Sequence, residues 1–368
     1  MRKLRISFLK PGMTLAKPVY GPDGQLWLNA GIKLQARYIR SLEKAGIKHV
    51  YIEDPLLHDV PLDEVVSQKT RIIAIKAVKE TIDSMQRGIL RNGGALNNRF
   101  IFAVERLIRE VLENQDVIYN MVDIRYTDNY TFNHSINVCI LSLLIGCGLS
   151  KKRTFLEDLA VGSLLHDVGK IWINESILKK KGSLTPEEIA EIKKHPEYGQ
   201  EILSRYNCIP AASIGVAVQH HERYDGSGYP CRLSGDDIGL LSRLVMVVDV
   251  FDALTADRPY RKALLPHEAV EIITSSTKLY DAEMIRCFLN HVAAFPIGTC
   301  LRLSSGELGL VVKCNRGFPL RPVVRVCKNS NGAFYKEPYD LDLTEKLDIV
   351  ITEVLSDEER EKELPLKS

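Results

Sequence analysis

Five of the nine histidines, His134, His166, His195, His220 and His221, fall between residues 134 and 221, with aspartates beside or near them. His166 is followed directly by Asp167, and His220 by His221. Imidazole next to carboxylate offers a mixed nitrogen and oxygen donor set that suits iron, manganese or zinc. A carboxylate can also bridge two ions, which imidazole cannot. A single His-Asp pair on a helix is more often structural, so its meaning depends on what surrounds it. Lys170 lies four residues after His166, on the same helical face. Beside a metal pair it would face an anion, and a substrate phosphate is the natural one. A solvated lysine at a helix C-terminus fits the position equally well.

His195 alone would be a surface or core filler. Paired histidines at a helix end are harder to dismiss, because two buried imidazoles each need a polar partner. After His221 the run Glu222-Arg223-Tyr224-Asp225-Gly226-Ser227-Gly228-Tyr229-Pro230 has the glycines and proline that let a backbone turn tightly beside a ligand. Asp249 interrupts the apolar run Leu244–Phe251. A carboxylate there is costly unless it is paired or metal-bound, the plain alternative being a cap on a neighbouring helix. In Asp257-Arg258-Pro259-Tyr260-Arg261, two arginines three apart suit phosphate and base contacts, or an exposed helix start.

The elements that carry these residues read as helices. Leu156, Leu159, Ala160 and Leu164 mark one apolar face leading to His166. Thr185-Pro186-Glu187-Glu188 is a capping box that starts the helix leading to His195. Helical spacing also runs from Glu64 to about Gln86, breaks at Asn92-Gly93-Gly94, and resumes from Phe100 to about His291. The flanks differ. Thr14–Tyr20 and Gln25–Leu28 bracket the turn Gly21-Pro22-Asp23-Gly24, a helix spans Gln35 to Ala45, and Val50–Ile52 closes an α+β module. Strand-like runs at Thr299–Leu303, Gly309–Lys313, Pro322–Cys327 and Ala333–Tyr335 form a C-terminal antiparallel unit. The expected scheme is mainly α: an α+β module over 1–56, linker and helices over 57–115, the helical domain over 116–295, a β module over 296–356, and a charged, frayed tail over 357–368.

Composition excludes some classes. A net charge of +2 argues against a broad face for long nucleic acid, though a local basic pocket stays open. The eight cysteines form no CxxC pair and read as reduced thiols. The N-terminus lacks a signal peptide, and the apolar run Val138–Leu149 is shorter than the roughly 20 residues a membrane span needs. The expected location is the cytoplasm.

In order along the chain stand Tyr130-Thr131-Phe132-Asn133-His134-Ser135, Leu165-His166-Asp167-Val168-Gly169-Lys170, His195-Pro196, His220-His221-Glu222, Asp225-Gly226-Ser227-Gly228-Tyr229-Pro230, Asp249-Val250-Phe251-Asp252-Ala253-Leu254 and Arg258-Pro259-Tyr260-Arg261. Together these resemble the HD-GYP family, a branch of the HD phosphohydrolases. The resemblance implies a helical HD-type bundle with two divalent metal ions, iron or manganese. One ion would be held by His134, His166, Asp167 and Asp249, the other by His195, His220 and His221, with Asp167 bridging. Lys170 would face the phosphate, Asp225, Gly226, Gly228, Tyr229 and Pro230 would shape the pocket, and Arg258 and Arg261 would bind phosphates. The family's usual substrate is cyclic di-GMP, opened to linear pGpG and sometimes cut on to GMP. Some members carry a glutamate where this chain has Tyr130, so the departure favours two metals and an end at pGpG.

The expected mechanism is in-line attack by metal-bound hydroxide between ions about 3.5–4 Å apart, with Asp167 and Lys170 as the residues closest to the chemistry. Two rivals stand beside it: a mononuclear HD phosphohydrolase, and an inert cyclic-dinucleotide sensor or scaffold. Cyclic GMP-AMP is the alternative substrate. A homodimer and signalling-protein partners remain open.

Overall fold

Short alternating runs at the N-terminus pair antiparallel: β1 (Arg2–Arg5) with β4 (His49–Ile52), and β2 (Val19–Tyr20) with β3 (Leu26–Leu28). Between them α1 (Ala36–Lys44) buries Leu42. It ends where Gly46 takes φ of +73° and the Ile47 amide bonds back to Leu42. The computed structural model describes residues 1–21, 25–61, 63–88, 96–120, 130–180, 182–256 and 262–365, with backbone alone at 130 and 131. The turn over 22–24, the break at 92–94, and Arg258 and Arg261 lie outside the described residues.

At the other end, five strands make one antiparallel sheet. They are β5 (Cys300–Leu303), β6 (Leu308–Lys313), β7 (Val323–Lys328), β8 (Phe334–Asp342) and β9 (Ile351–Val354), in the order β8-β7-β6-β5-β9. The strand β9 is an addition to the sequence reading. The terminal modules expected as separate segments fall in one unit, Met1–Glu64, Ile118–Tyr130 and Val292–Ser368. Leu57 and Val60 join the core of the C-terminal sheet, and Arg325 grips Asp59 with both terminal nitrogens at 2.6 and 2.8 Å. The tail is also more ordered than expected. Ser356 and Glu359 form a capping box for α13 (Asp357–Glu363), and the buried Arg360 reaches the equally buried Asp54 at 3.2 Å. That pair spans 306 positions, which no local pattern reveals.

The second unit, Val65–Val117 with Thr131–His291, is helical. Its α2 (Gln68–Gln86) and α3 (Asn98–Glu113) are capped by Ser67 and Asn97. There follow α4 (Tyr130–Leu149), α5 (Arg153–Leu165), a 3₁₀ turn over Val168–Trp172, α6 (Glu175–Leu178), α7 (Pro186–Ile192), α8 (His195–Leu203), α9 (Ala211–Gln219), α10 (Leu240–Thr255), α11 (Pro266–Ser275) and α12 (Ala282–Leu289). The capping box of α7 forms as expected. Among the described residues α4 alone is long and apolar enough to cross a membrane, but 78% of that stretch is buried inside the protein. It is apolar all round because it is a core helix.

Two glycines set the close approaches that the site needs. A Cβ on Gly162 of α5 would meet Val216 of α9 at 2.9 Å. A Cβ on Gly169, in the 3₁₀ turn, would stand 1.9 Å from the His195 carbonyl oxygen. Gly169→Ala must therefore push α8 away from the turn. It is expected to lower stability by at least about 1–3 kcal/mol, read as a drop in the thermal unfolding midpoint of the metal-free chain.

Candidate metal centre

A helix ends with carbonyl groups that have no partner in the helix, and an imidazole placed just beyond can donate to them. Three of the clustered histidines use this device. His166 Nδ1 donates to Ser163 O at 2.7 Å at the end of α5. His195 Nδ1 donates to Ile192 O at 2.7 Å, at the end of α7. His220 Nδ1 bonds Val216 O and Ala217 O at 3.1 and 3.0 Å as α9 ends. His134, inside α4, donates instead to Asp252 Oδ2 of α10 at 2.7 Å. With the proton held on Nδ1, the neutral rings of His166, His195 and His220 present the Nε2 lone pair, the arrangement that metal-binding histidines use, and His134 can present its own once it sheds a proton.

All four Nε2 atoms point at Asp167, the second residue after α5. Its Oδ2 lies 3.9 Å from His134 Nε2 and 3.5 Å from His166 Nε2. Its Oδ1 lies 3.5 Å from His195 Nε2 and 3.8 Å from His220 Nε2. Asp249 joins the first group, with Oδ1 3.0 Å from His134 Nε2 and 3.8 Å from His166 Nε2. His221 joins the second, its ring centroid 4.9 Å from that of His195. Two overlapping sets thus share Asp167: His134 and His166 on one side, His195, His220 and His221 on the other.

Two features show that this cluster fits a cation. His166 Nε2 is buried with no hydrogen-bond partner, a costly state unless something accepts its lone pair. His195 Nε2 and His220 Nε2 face each other at 3.2 Å, although both rings already donate through Nδ1. Opposed lone pairs at that distance repel, and a positive ion next to them relieves it. The donor set is one that suits a divalent metal.

The charges agree. Burial pushes His195 down to about 4 and His221 to about 3, and holds His220 well below the usual imidazole range, so these rings are neutral. Burial opposes ionisation of Asp167, but Lys170 and the surrounding histidines outweigh it and hold the carboxyl well below its usual value. Asp249 is likewise held low, against burial, by His134. His134 differs. Burial lowers it, yet bonds to Asp249 and Asp252 raise it to about 9. In the metal-free centre a proton therefore sits between His134 Nε2 and Asp249.

Lys170 is half-buried, its ammonium 2.6 Å from Asp167 Oδ2. The loop after His221 is drawn in by Glu222, a fully buried carboxylate that accepts from the amides of Cys231 at 2.7 Å and Leu233 at 3.1 Å. Gly226 takes φ of +81°, and Gly228 passes so close that a Cβ would meet the Arg223 amide at 2.3 Å. Tyr229 stacks on His221, centroids 4.8 Å apart, and Pro230 follows it. Asp225 is spent within the loop, accepting from Ser227 N and Oγ at 3.0 and 2.6 Å. Asp252 and Glu222 had been given no role from the sequence. Asp252 stands three residues after Asp249, one helical turn on, and that spacing was the available signal.

Residues 117–284 match the model of the HD domain, and residues 300–363 match that of a KOW domain associated with HD domain. A cyclic di-GMP phosphodiesterase of Pseudomonas aeruginosa is 30% identical over 329 residues, covering 83% of this chain and 79% of its own length. The chain belongs to the HD-GYP branch of the HD domain family. A cyclic di-GMP phosphodiesterase of Thermotoga maritima is 37% identical over 51% of this chain and 54% of its own. A 3′3′-cGAMP-specific phosphodiesterase of Vibrio cholerae is 36% identical over 43% of this chain and 34% of its own. The chain thus spans most of the first relative but only about half and a third of the other two.

Because a metal ligand must shed its proton, filling this HD-GYP centre at pH 7 should release about one proton, from His134. Calorimetric titration of Mn²⁺ in two buffers of different ionisation enthalpy is expected to give different apparent enthalpies, with that stoichiometry. Equal enthalpies would refute the protonated state of His134.

Proposed function

We propose that this chain is a metal-dependent phosphodiesterase that opens cyclic di-GMP to linear pGpG at two divalent cations, iron or manganese. One would be held by His134, His166, Asp167 and Asp249, the other by His195, His220 and His221 with Asp167 shared. The observation that carries this reading is the division of Asp167: each carboxylate oxygen faces a different pair of histidines, at 3.5–3.9 Å. A mononuclear hydrolase would leave the Oδ1 side, with its three histidines, without a task. A purely binding protein would have no use for either set.

When bound, such cations neutralise phosphate charge and lower the pKa of water toward neutrality. The chain's own residues do the rest. Lys170 offsets the charge of Asp167 and, once a cation takes over that task, its ammonium can turn to a phosphate oxygen. Tyr229, braced on His221, and the glycines beside it shape the wall against which the nucleotide lies. In the reaction water adds to phosphorus, the bond from phosphorus to the 3′-oxygen breaks, and solvent supplies the leaving group's proton. All eight cysteines are free thiols, which supports a cytoplasmic setting. The relative specific for 3′3′-cGAMP makes cyclic GMP-AMP the second candidate substrate.

Asp167→Ala touches both histidine sets, so turnover of cyclic di-GMP and bound metal are expected to vanish together, by product chromatography and elemental analysis. Activity surviving in that variant overturns the assignment. The wild-type chain is expected to hold two ions; a single ion per active chain favours the mononuclear reading. With both cyclic dinucleotides offered side by side, the linear product of cyclic di-GMP should form faster.

A further inference from the structure

We propose that Arg71, on α2 and outside the segment matched by the HD domain model, is a positioning residue for the metal centre, acting on His134 through Asn137 and Asp252. The inference rests on the reading of the cluster as a metal site. Arg71 Nη1 donates to Asn137 Oδ1 at 2.9 Å. Asn137 Nδ2 donates to Asp252 Oδ1 at 3.0 Å. Asp252 Oδ2 accepts the Nδ1 proton of His134 at 2.7 Å. Asn137, Asp252 and His134 are all buried.

The polarity of this chain runs one way. A guanidinium can only donate, so the end of the Asn137 amide that faces Arg71 must be its oxygen. The amide nitrogen is then left to donate to Asp252. A flipped amide would set NH₂ against the guanidinium and oxygen against the carboxylate, two repulsions at once. Asp252, an acceptor only when ionised, takes the Asn137 proton on one oxygen and that of His134 on the other. The Nδ1 proton of His134 is thereby held toward Asp252, and Nε2 is aimed at the space shared with Asp249 and Asp167. Each link removes a choice from the next, and Arg71 makes the first. A residue that merely fastened α2 to α4 would need neither this order nor the second carboxylate.

Outer partners of metal-bound histidines are worth about 10- to 100-fold in metal affinity. The test is calorimetric titration of Mn²⁺ into the metal-free full chain. Arg71→Met is expected to weaken binding about tenfold, and Arg71→Lys to recover part of the loss. The double variant Arg71→Met with Asp252→Asn should bind no more weakly than Asp252→Asn alone, because Arg71 acts through that carboxylate. Lys79→Met, an exposed change on the same helix, should bind as wild type. If Arg71→Met does not fold, judged by circular dichroism of the metal-free chain, Asn137→Ser breaks the next link and carries the same expectation. Wild-type affinity in a folded Arg71→Met, or losses that simply add in the double variant, overturn the proposal while leaving the metal reading intact. A wild-type chain that takes up no Mn²⁺ overturns both.

Discussion

One buried carboxylate organises the catalytic unit. Asp167 is surrounded by imidazoles whose Nδ1 protons are committed elsewhere, so what reaches it from His166, His195 and His220 is a set of lone pairs, beside one ammonium and the protonated His134. A set of that kind is unstable as plain packing, because buried acceptors without donors are costly. It becomes favourable when cations enter. The helices are arranged to impose this arrangement, and the site is preorganised by their ends rather than by flexible side chains.

The scaffold achieves this with an economical device. Helices α5 and α9 each stop just before a histidine and α7 stops three residues short of one, and the free carbonyls of the last turn orient the ring. Position and tautomer are thus set by the same bond. Helix α10 supplies both carboxylates that address His134, Asp249 on one ring nitrogen and Asp252 on the other. Small residues let these ends converge: with any side chain at position 169, the 3₁₀ turn and the start of α8 could not share the space they do.

The other unit follows a different logic. Its core is apolar, yet a buried ionic pair, Arg360 and Asp54, ties it across the sequence. Breaking one member of such a pair leaves a charge stranded without water, so the pair specifies a unique partner more than it adds stability. Arg325, shared between Asp59 and Asp340, repeats the pattern nearer the surface. The two chain ends thereby fold as one body, although each looks like a self-contained module when its local patterning is considered alone.

The sequence by itself determined the class of fold, the cap that starts α7, the stop of α1 at Gly46, and the donor inventory. Residue type and ordered spacing are local properties, and the His-Asp and His-His pairs at helix ends carry them openly. The seven residues expected as ligands do meet in one cluster. Their division into two sets was implied by the family resemblance, but tertiary structure alone decided how the two oxygens of Asp167 are shared between them. Which oxygen of Asp167 faces which histidines depends on how α9 packs against α5 and α8 against the 3₁₀ turn, and no spacing along the chain encodes it. The same holds for His134 and Asp252, 118 positions apart, and for Asp54 and Arg360. Their pairing is a consequence of packing: a buried polar group must find a partner wherever the fold brings one within reach.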